Sequence, residues 1–128
     1  MKNKIKAVHE FHEAFGAGIK YTPTANIGEE RNLLRFNLMK EENEEYLEAA
    51  QNNDLVEVAD ALGDMLYILC GTIIEHGMQD KIEEVFNEIQ RSNMSKLGED
   101  GKPIYREDGK VLKGPNYFKP NISKILEE

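Results

Sequence analysis

The sequence has no tryptophan, one cysteine and four prolines in 128 residues. With a single thiol, Cys70, it forms no internal disulfide, and a cysteine inside an apolar run reads as a small core residue. No stretch approaches the roughly 20 apolar residues of a membrane span. The N-terminus, MKNKIKAVHEFHEAF, lacks the uninterrupted apolar core of a signal peptide. A reducing cytoplasm is the expected setting. Basic residues are outnumbered: 16 Lys and Arg stand against 24 Asp and Glu, a formal net charge of -8. That argues against a nucleic-acid backbone or an anionic membrane as the main partner, because both need basic surface. It suits a protein whose acids coordinate cations. What remains is a soluble globular balance, 40% hydrophobic and 31% charged. The length suits one domain with a real core.

Helical periodicity dominates the first three quarters of the chain. Ile5, Val8, Phe11, His12 and Phe15 recur at helical spacing over residues 3–15. Gly16 and Gly18 end that segment, and residues 21–28 have a loop composition. His9 and His12 can share a face, where packing or a substrate-edge role outweighs metal ligation. A second helix is expected over residues 29–50, with Glu29 and Glu30 in its first turn and Leu34 and Leu38 on its buried stripe. Asp54 can cap a third helix over residues 55–76. From Ala61 to Ile74 nearly every position is apolar or small, the pattern of a central, buried helix. Gly77 can terminate it. A fourth helix is expected over residues 80–93, with Ile82, Val85, Phe86 and Ile89 facing inward.

After Leu97 the composition turns to Gly, Pro, Asp and Lys. Residues 103–105 and 110–112 can pair as a small hairpin around Asp108-Gly109, and a last helical turn fits residues 123–127. The expected architecture is all-α: a four-helix core over residues 1–98, and a 99–128 extension packed on the same single domain.

Two acidic clusters occupy successive helices. At about 100° per residue, Leu34, Leu38, Glu41, Glu45 and Glu48 fall within about 80° of arc, with Glu42 just outside it. The acids continue the apolar stripe instead of opposing it. On the third helix Glu57, Asp60 and Asp64 share one face, which Tyr67 and Gly71 extend. The short break between the helices makes them an antiparallel pair, so the two clusters should face each other. Carboxylates that close repel and become partly protonated when left alone. Mg²⁺, or Mn²⁺ in its place, resolves the conflict and commonly shares its coordination with substrate phosphates. The plain alternative is a solvated charge run, which EENEEYLE alone would suit. Asp64, at the mouth of an apolar run, is harder to explain that way.

These residues resemble the MazG-type all-α nucleoside triphosphate pyrophosphohydrolases, a group that includes dimeric dUTPases and phosphoribosyl-ATP pyrophosphohydrolase. The superfamily carries EExxE on one helix and ExxD on the next. Glu41, Glu42 and Glu45 match EExxE. Glu57 to Asp60 has the ExxD form, whereas Leu62-Gly63-Asp64 resembles the end of a common ELGD segment whose glutamate falls here on Ala61. Either Asp60 or Glu57 then stands in for that acid. RSNMSKL (91–97) and GKVLKGPNY (109–117) resemble segments of a MazG-like subgroup, and the likeness covers most of residues 8–126. The resemblance implies a Mg²⁺-dependent enzyme cleaving a nucleotide between its α- and β-phosphates, in nucleotide-pool house-cleaning. It also implies a homodimer or homotetramer whose subunits complete one another's core.

On that reading the metal ligands are Glu42, Glu45, Glu57 or Asp60, and Asp64, with Glu41 and Glu45 as candidates to orient or deprotonate the attacking water. Asn93, Lys96, Lys113 and Tyr117 are candidates for substrate phosphates, sugar or base. His12 is a weaker candidate for the base, and Arg35 can pair with acids of its own helix. Two other classes fit the same sequence: a non-catalytic helical interaction module, and a domain that binds nucleotide without hydrolysing it.

Overall fold

The periodic segments become helices within two residues of their expected bounds: α1 (Lys2–Phe15), α2 (Glu29–Gln51), α3 (Leu55–Glu75) and α4 (Ile82–Met94). The computed structural model describes residues 1–128. The fold is all-α apart from β1 (Ile104–Tyr105) and β2 (Val111–Leu112), and it ends in α5 (Ile122–Glu127). The chain divides into two units, Met1–Asp80 and Lys81–Glu128, so that α4 groups with the C-terminal segment. No helix is long and apolar enough to cross a membrane.

In the first unit the helix ends follow local chemistry. Gly16 closes α1 at φ 70°, a left-handed conformation that costs glycine little. The Asp54 carboxylate accepts from the Glu57 amide at 3.2 Å and caps α3. Beyond α3 the chain turns at Gly77, φ 69°. The loop over residues 17–28 covers this end: the Lys20 amide donates to the Ile74 carbonyl (3.1 Å) and the Thr24 amide to the His76 carbonyl (2.8 Å). The His76 carbonyl gains a partner, and the Ile74 carbonyl, which also accepts from the Gly77 amide, gains a second donor. A Cβ on Gly77 would lie 2.1 Å from the Thr22 carbonyl oxygen. Gly77→Ala combines that overlap with a left-handed alanine, and we expect it to cost about 2 kcal/mol or more. The check is a lower urea midpoint at unchanged slope.

Cross-helix pairs give the directions. Arg31 meets Glu75, Arg35 meets Thr72 and Ile68, and Glu42 senses Asp64 and Asp60, so α2 runs antiparallel to α3. His12 approaches Gly71, and Phe11 meets Tyr67 edge-on at 5.7 Å, so α1 runs alongside α3 in the same direction. The core is narrow: Ile5 and Val8 of α1, Ala49 of α2, and Ala61, Cys70, Ile73 and Ile74 of α3. Cys70 is wholly buried, and that burial pushes its thiol pKa up.

Contrary to the sequence pattern, α3 is not buried all round. Leu62 is 50% exposed, and Tyr67 and Leu69 are each 43% exposed. Within this unit only α1 and α2 pack on α3, and two helices cannot cover every face of a third.

In the second unit the tail is tied to the end of α4. The Gly114 amide donates to the Lys96 carbonyl (2.8 Å), the Ser92 hydroxyl to the Phe118 carbonyl (2.8 Å), and the Asn121 amide to Glu88 (2.7 Å). The Arg91 guanidinium lies 5.0 Å over the Phe118 ring. The hairpin pairs Ile104 with Leu112 and Tyr105 with Val111. Val85 is buried as the α4 stripe requires, but Phe86 is 63% and Ile89 38% exposed.

Candidate active site

The antiparallel pairing of α2 and α3 sets the C-terminal half of α2 against the N-terminal half of α3. Ala49 of α2 and Ala61 of α3 are both buried, 5% and 2% exposed. Ala61, at the position where ELGD would carry glutamate, does not line the cleft. Glu45, Glu48, Asp54, Glu57 and Asp60 instead line an open cleft of about 500 Å³ with Ala49 and Asn52.

Glu42 is the most perturbed acid. Burial pushes its pKa up to about 7; a hydrogen bond with Glu45 and the charges of Glu45, Asp64 and Asp60 push the same way. Its Oε2 is buried and has no hydrogen-bond partner. An orphaned carboxylate oxygen is costly and requires an explanation. Here the oxygen sits among three other carboxylates, an arrangement that a cation would relieve. No group of three or more His, Cys, Asp and Glu side chains converges as a ready metal cage.

The sequence-derived candidates fall in both units. The charges of Glu45, Asp60 and Asp64 act on Glu42. Glu57 lines the cleft with Glu45 and Asp60, but its charge is not among those that raise Glu42. Glu41 is exposed on the same helix. Asn93, Lys96, Lys113 and Tyr117 all belong to the second unit. There the Lys113 ammonium lies 4.8 Å over the Tyr117 ring, Lys96 holds the tail through its backbone, and Asn93 is exposed.

Glu48, on the acidic stripe of the second helix but not among the candidate site residues, also lines the cleft. Two features escaped the sequence reading. Ser92 and Ser95 serve as anchors for the tail, since the Phe118 amide donates to the Ser95 hydroxyl at 3.2 Å. Glu75, 2% exposed, accepts two hydrogen bonds from Arg31 (2.9 and 2.8 Å) and pairs with Arg35 at 3.1 Å. Arg35 therefore pairs across to α3 and not with acids of its own helix. The reason is reach: its partners lie on the facing helix, inside the seam. The signal was available, because an acid at the far end of an apolar run needs a partner for the same reason as Asp64 does. His12 has a packing role: it is buried, with its Nδ1 2.8 Å from the Gly18 carbonyl oxygen. His9 instead contacts Glu13 at 2.8 Å.

An all-α fold with EExxE facing a second acidic helix across a cleft defines a class of hydrolases acting on nucleotide phosphoanhydride bonds. Within that class the chain belongs to the phosphoribosyl-ATP pyrophosphohydrolase family, whose model matches residues 8–93. It is also similar to the solved structure of a proposed NTP pyrophosphohydrolase from Exiguobacterium sp. 255-15. The two are 27% identical, with a TM-score of 0.51 over 98% of this chain and 92% of that one. We find no match among curated proteins.

Proposed function

We propose that the protein hydrolyses a nucleoside triphosphate, or a related nucleotide, between its α- and β-phosphates with the help of Mg²⁺. The products are a nucleoside monophosphate and pyrophosphate, and the role is the removal of unwanted nucleotides. The observation that supports this reading best is the partnerless Glu42 oxygen among Glu45, Asp60 and Asp64. Phosphate chains bring negative charge, so an acidic cleft can take one only with a cation between them.

Glu42, Glu45, Asp60 and Asp64 would hold the metal, with Glu57 at the margin of the set. When bound, the ion supplies charge neutralisation for the departing pyrophosphate and lowers the pKa of a coordinated water. The protein's own part is electrostatic and positional. The carboxylates hold the phosphate chain's counter-charge in one place, and Glu41 or Glu45 accepts the proton of the attacking water. No side-chain nucleophile is required. Asn93, Lys96, Lys113 and Tyr117 are the proposed contacts to the outer phosphates, sugar and base.

Leu62, Leu66, Tyr67 and Leu69 of α3, together with Leu33, Phe36 and Leu47 of α2, are large apolar residues left exposed in the single chain. A second copy of the chain, as a homodimer or dimer of dimers, would cover them.

The deciding experiment is a panel of canonical and modified nucleoside triphosphates, with phosphoribosyl-ATP included, assayed for pyrophosphate with and without Mg²⁺. We expect release of pyrophosphate and monophosphate from at least one substrate, abolished by chelator. Binding without release from every substrate would leave a nucleotide-binding module instead.

A further inference from the structure

The carboxylates of the cleft repel one another across the α2–α3 seam, and the packing beside them is slight: the buried apolar residues there are Ala49 and Ala61. Something else must keep the two helices in register at that end. Seven residues before Glu42 on α2, Arg35 reaches into α3 and makes three contacts. Its Nε donates to the Thr72 hydroxyl (3.0 Å), its Nη2 donates to the Ile68 carbonyl (2.8 Å), and its Nη1 lies 3.1 Å from Glu75 Oε2. Ile68 is one helical turn beyond Asp64. A guanidinium offers donors in a fixed fork, so three such contacts fix both the separation and the axial register of the helices.

Two further observations show that the contact is built in. Glu75 is held on its other side by the two-pronged Arg31 contact, so two guanidiniums share one buried carboxylate. The surplus positive charge sits along the seam from the surplus negative charge of the cleft. Gly71 keeps the space clear: a Cβ there would lie 2.6 Å from Arg35 Nη2 and 2.8 Å from His12 Nε2.

We propose that Arg35 is a positioning residue, gripping α3 through Ile68, Thr72 and Glu75 and so setting the register in which Glu42 and Glu45 of α2 meet Asp60 and Asp64 of α3, the residues that would hold a divalent cation. The proposal rests on the metal-dependent reading of the cleft. Its consequence is that metal affinity is controlled by residues that are not ligands. Groups that orient metal ligands typically change affinity by about 10- to 100-fold when altered.

The test is Mn²⁺ binding to the purified, metal-free protein, read from the electron paramagnetic resonance signal of free Mn²⁺. Arg35→Lys keeps the charge but loses the fork. Gly71→Ala leaves every charged group in place and pushes Arg35 aside. We expect each to raise the Mn²⁺ Kd by about tenfold or more while the helical circular dichroism is kept. Thr72→Val should also loosen binding, and Thr72→Ser, which restores the hydroxyl, should return it to the wild-type value. A merely structural Arg35 would lower the urea midpoint and leave the Mn²⁺ Kd of all these variants unchanged, which overturns the proposal while wild-type binding upholds the metal site. A wild type that binds no Mn²⁺ overturns both.

Discussion

Asp64→Asn is expected to lower kcat for pyrophosphate release by about 10³-fold or more with the fold intact. The substitution is nearly isosteric, so it tests charge and not packing. Asp64 is half-buried on α3, where its charge adds to the burial and hydrogen bond that raise Glu42. A metal-held phosphate gains several kcal/mol of charge stabilisation in the transition state, and about 4 kcal/mol corresponds to that factor. The same assay separates the two candidate stand-ins for the missing glutamate. Asp60 both lines the cleft and acts on Glu42, whereas Glu57 only lines the cleft. Asp60→Asn should therefore approach the Asp64→Asn loss, and Glu57→Gln should stay within about tenfold of wild type, below the range expected for a directly participating group. An Asp64→Asn enzyme as active as wild type would remove the metal site from the mechanism.

The second large effect is on pH dependence. Glu42 titrates near 7 in the folded protein, raised from the ordinary value of 4.5. A raised folded-state pKa means that the folded state binds the proton more tightly than the unfolded state does. Its stabilising contribution is complete below about 4.5 and is lost as pH rises through about 7. The metal-free protein should accordingly lose thermal stability across that window, opposite to the trend of a salt-bridged carboxylate. Divalent metal must displace this proton, so its affinity should fall by up to tenfold per pH unit below about 7. Thermal melts at pH 5.5 and pH 8, each with and without Mg²⁺, give a direct reading. The Mg²⁺-induced rise in Tm should be large at pH 8 and small at pH 5.5. An equal rise at both would show that Glu42 is not a ligand.

Much of the fold was legible because its signals are local. The stripe Ile5, Val8, Phe11, His12 and Phe15 marks α1, although only Ile5, Val8 and His12 are buried while Phe11 is 42% and Phe15 74% exposed. Asp54 and Gly77 mark the ends of α3, since capping and left-handed turns depend on single residues. The hairpin was legible from Asp108-Gly109, and Gly109 does adopt a φ of 87°. What was not legible depended on what packs against what. Apolar residues all round α3 suggested burial, but burial is decided by neighbours, and within Met1–Asp80 there are two. Arg35 had acids within reach on its own helix and bonds instead to Glu75, Thr72 and Ile68, far along the chain and close in space. The tail anchors at Ser92 and Ser95 were hidden for the same reason, because a serine carries no sign of which distant backbone it will bind.

The sequence by itself determined the helices, their ends, the short α2–α3 connection and the presence of acids on facing stripes. These follow from periodicity, capping and charge, which act over a few residues. Only the tertiary structure decided which acids meet. It buried Ala61, set Glu42 under the charges of Glu45, Asp60 and Asp64 with an oxygen left unpartnered, and put Glu57 in the cleft with Glu45 and Asp60. The physical reason is that electrostatic coupling and burial vary over a few ångströms. Helical spacing brings residues onto one face, but the register between two helices, gripped here at Arg35, determines the distances that chemistry uses.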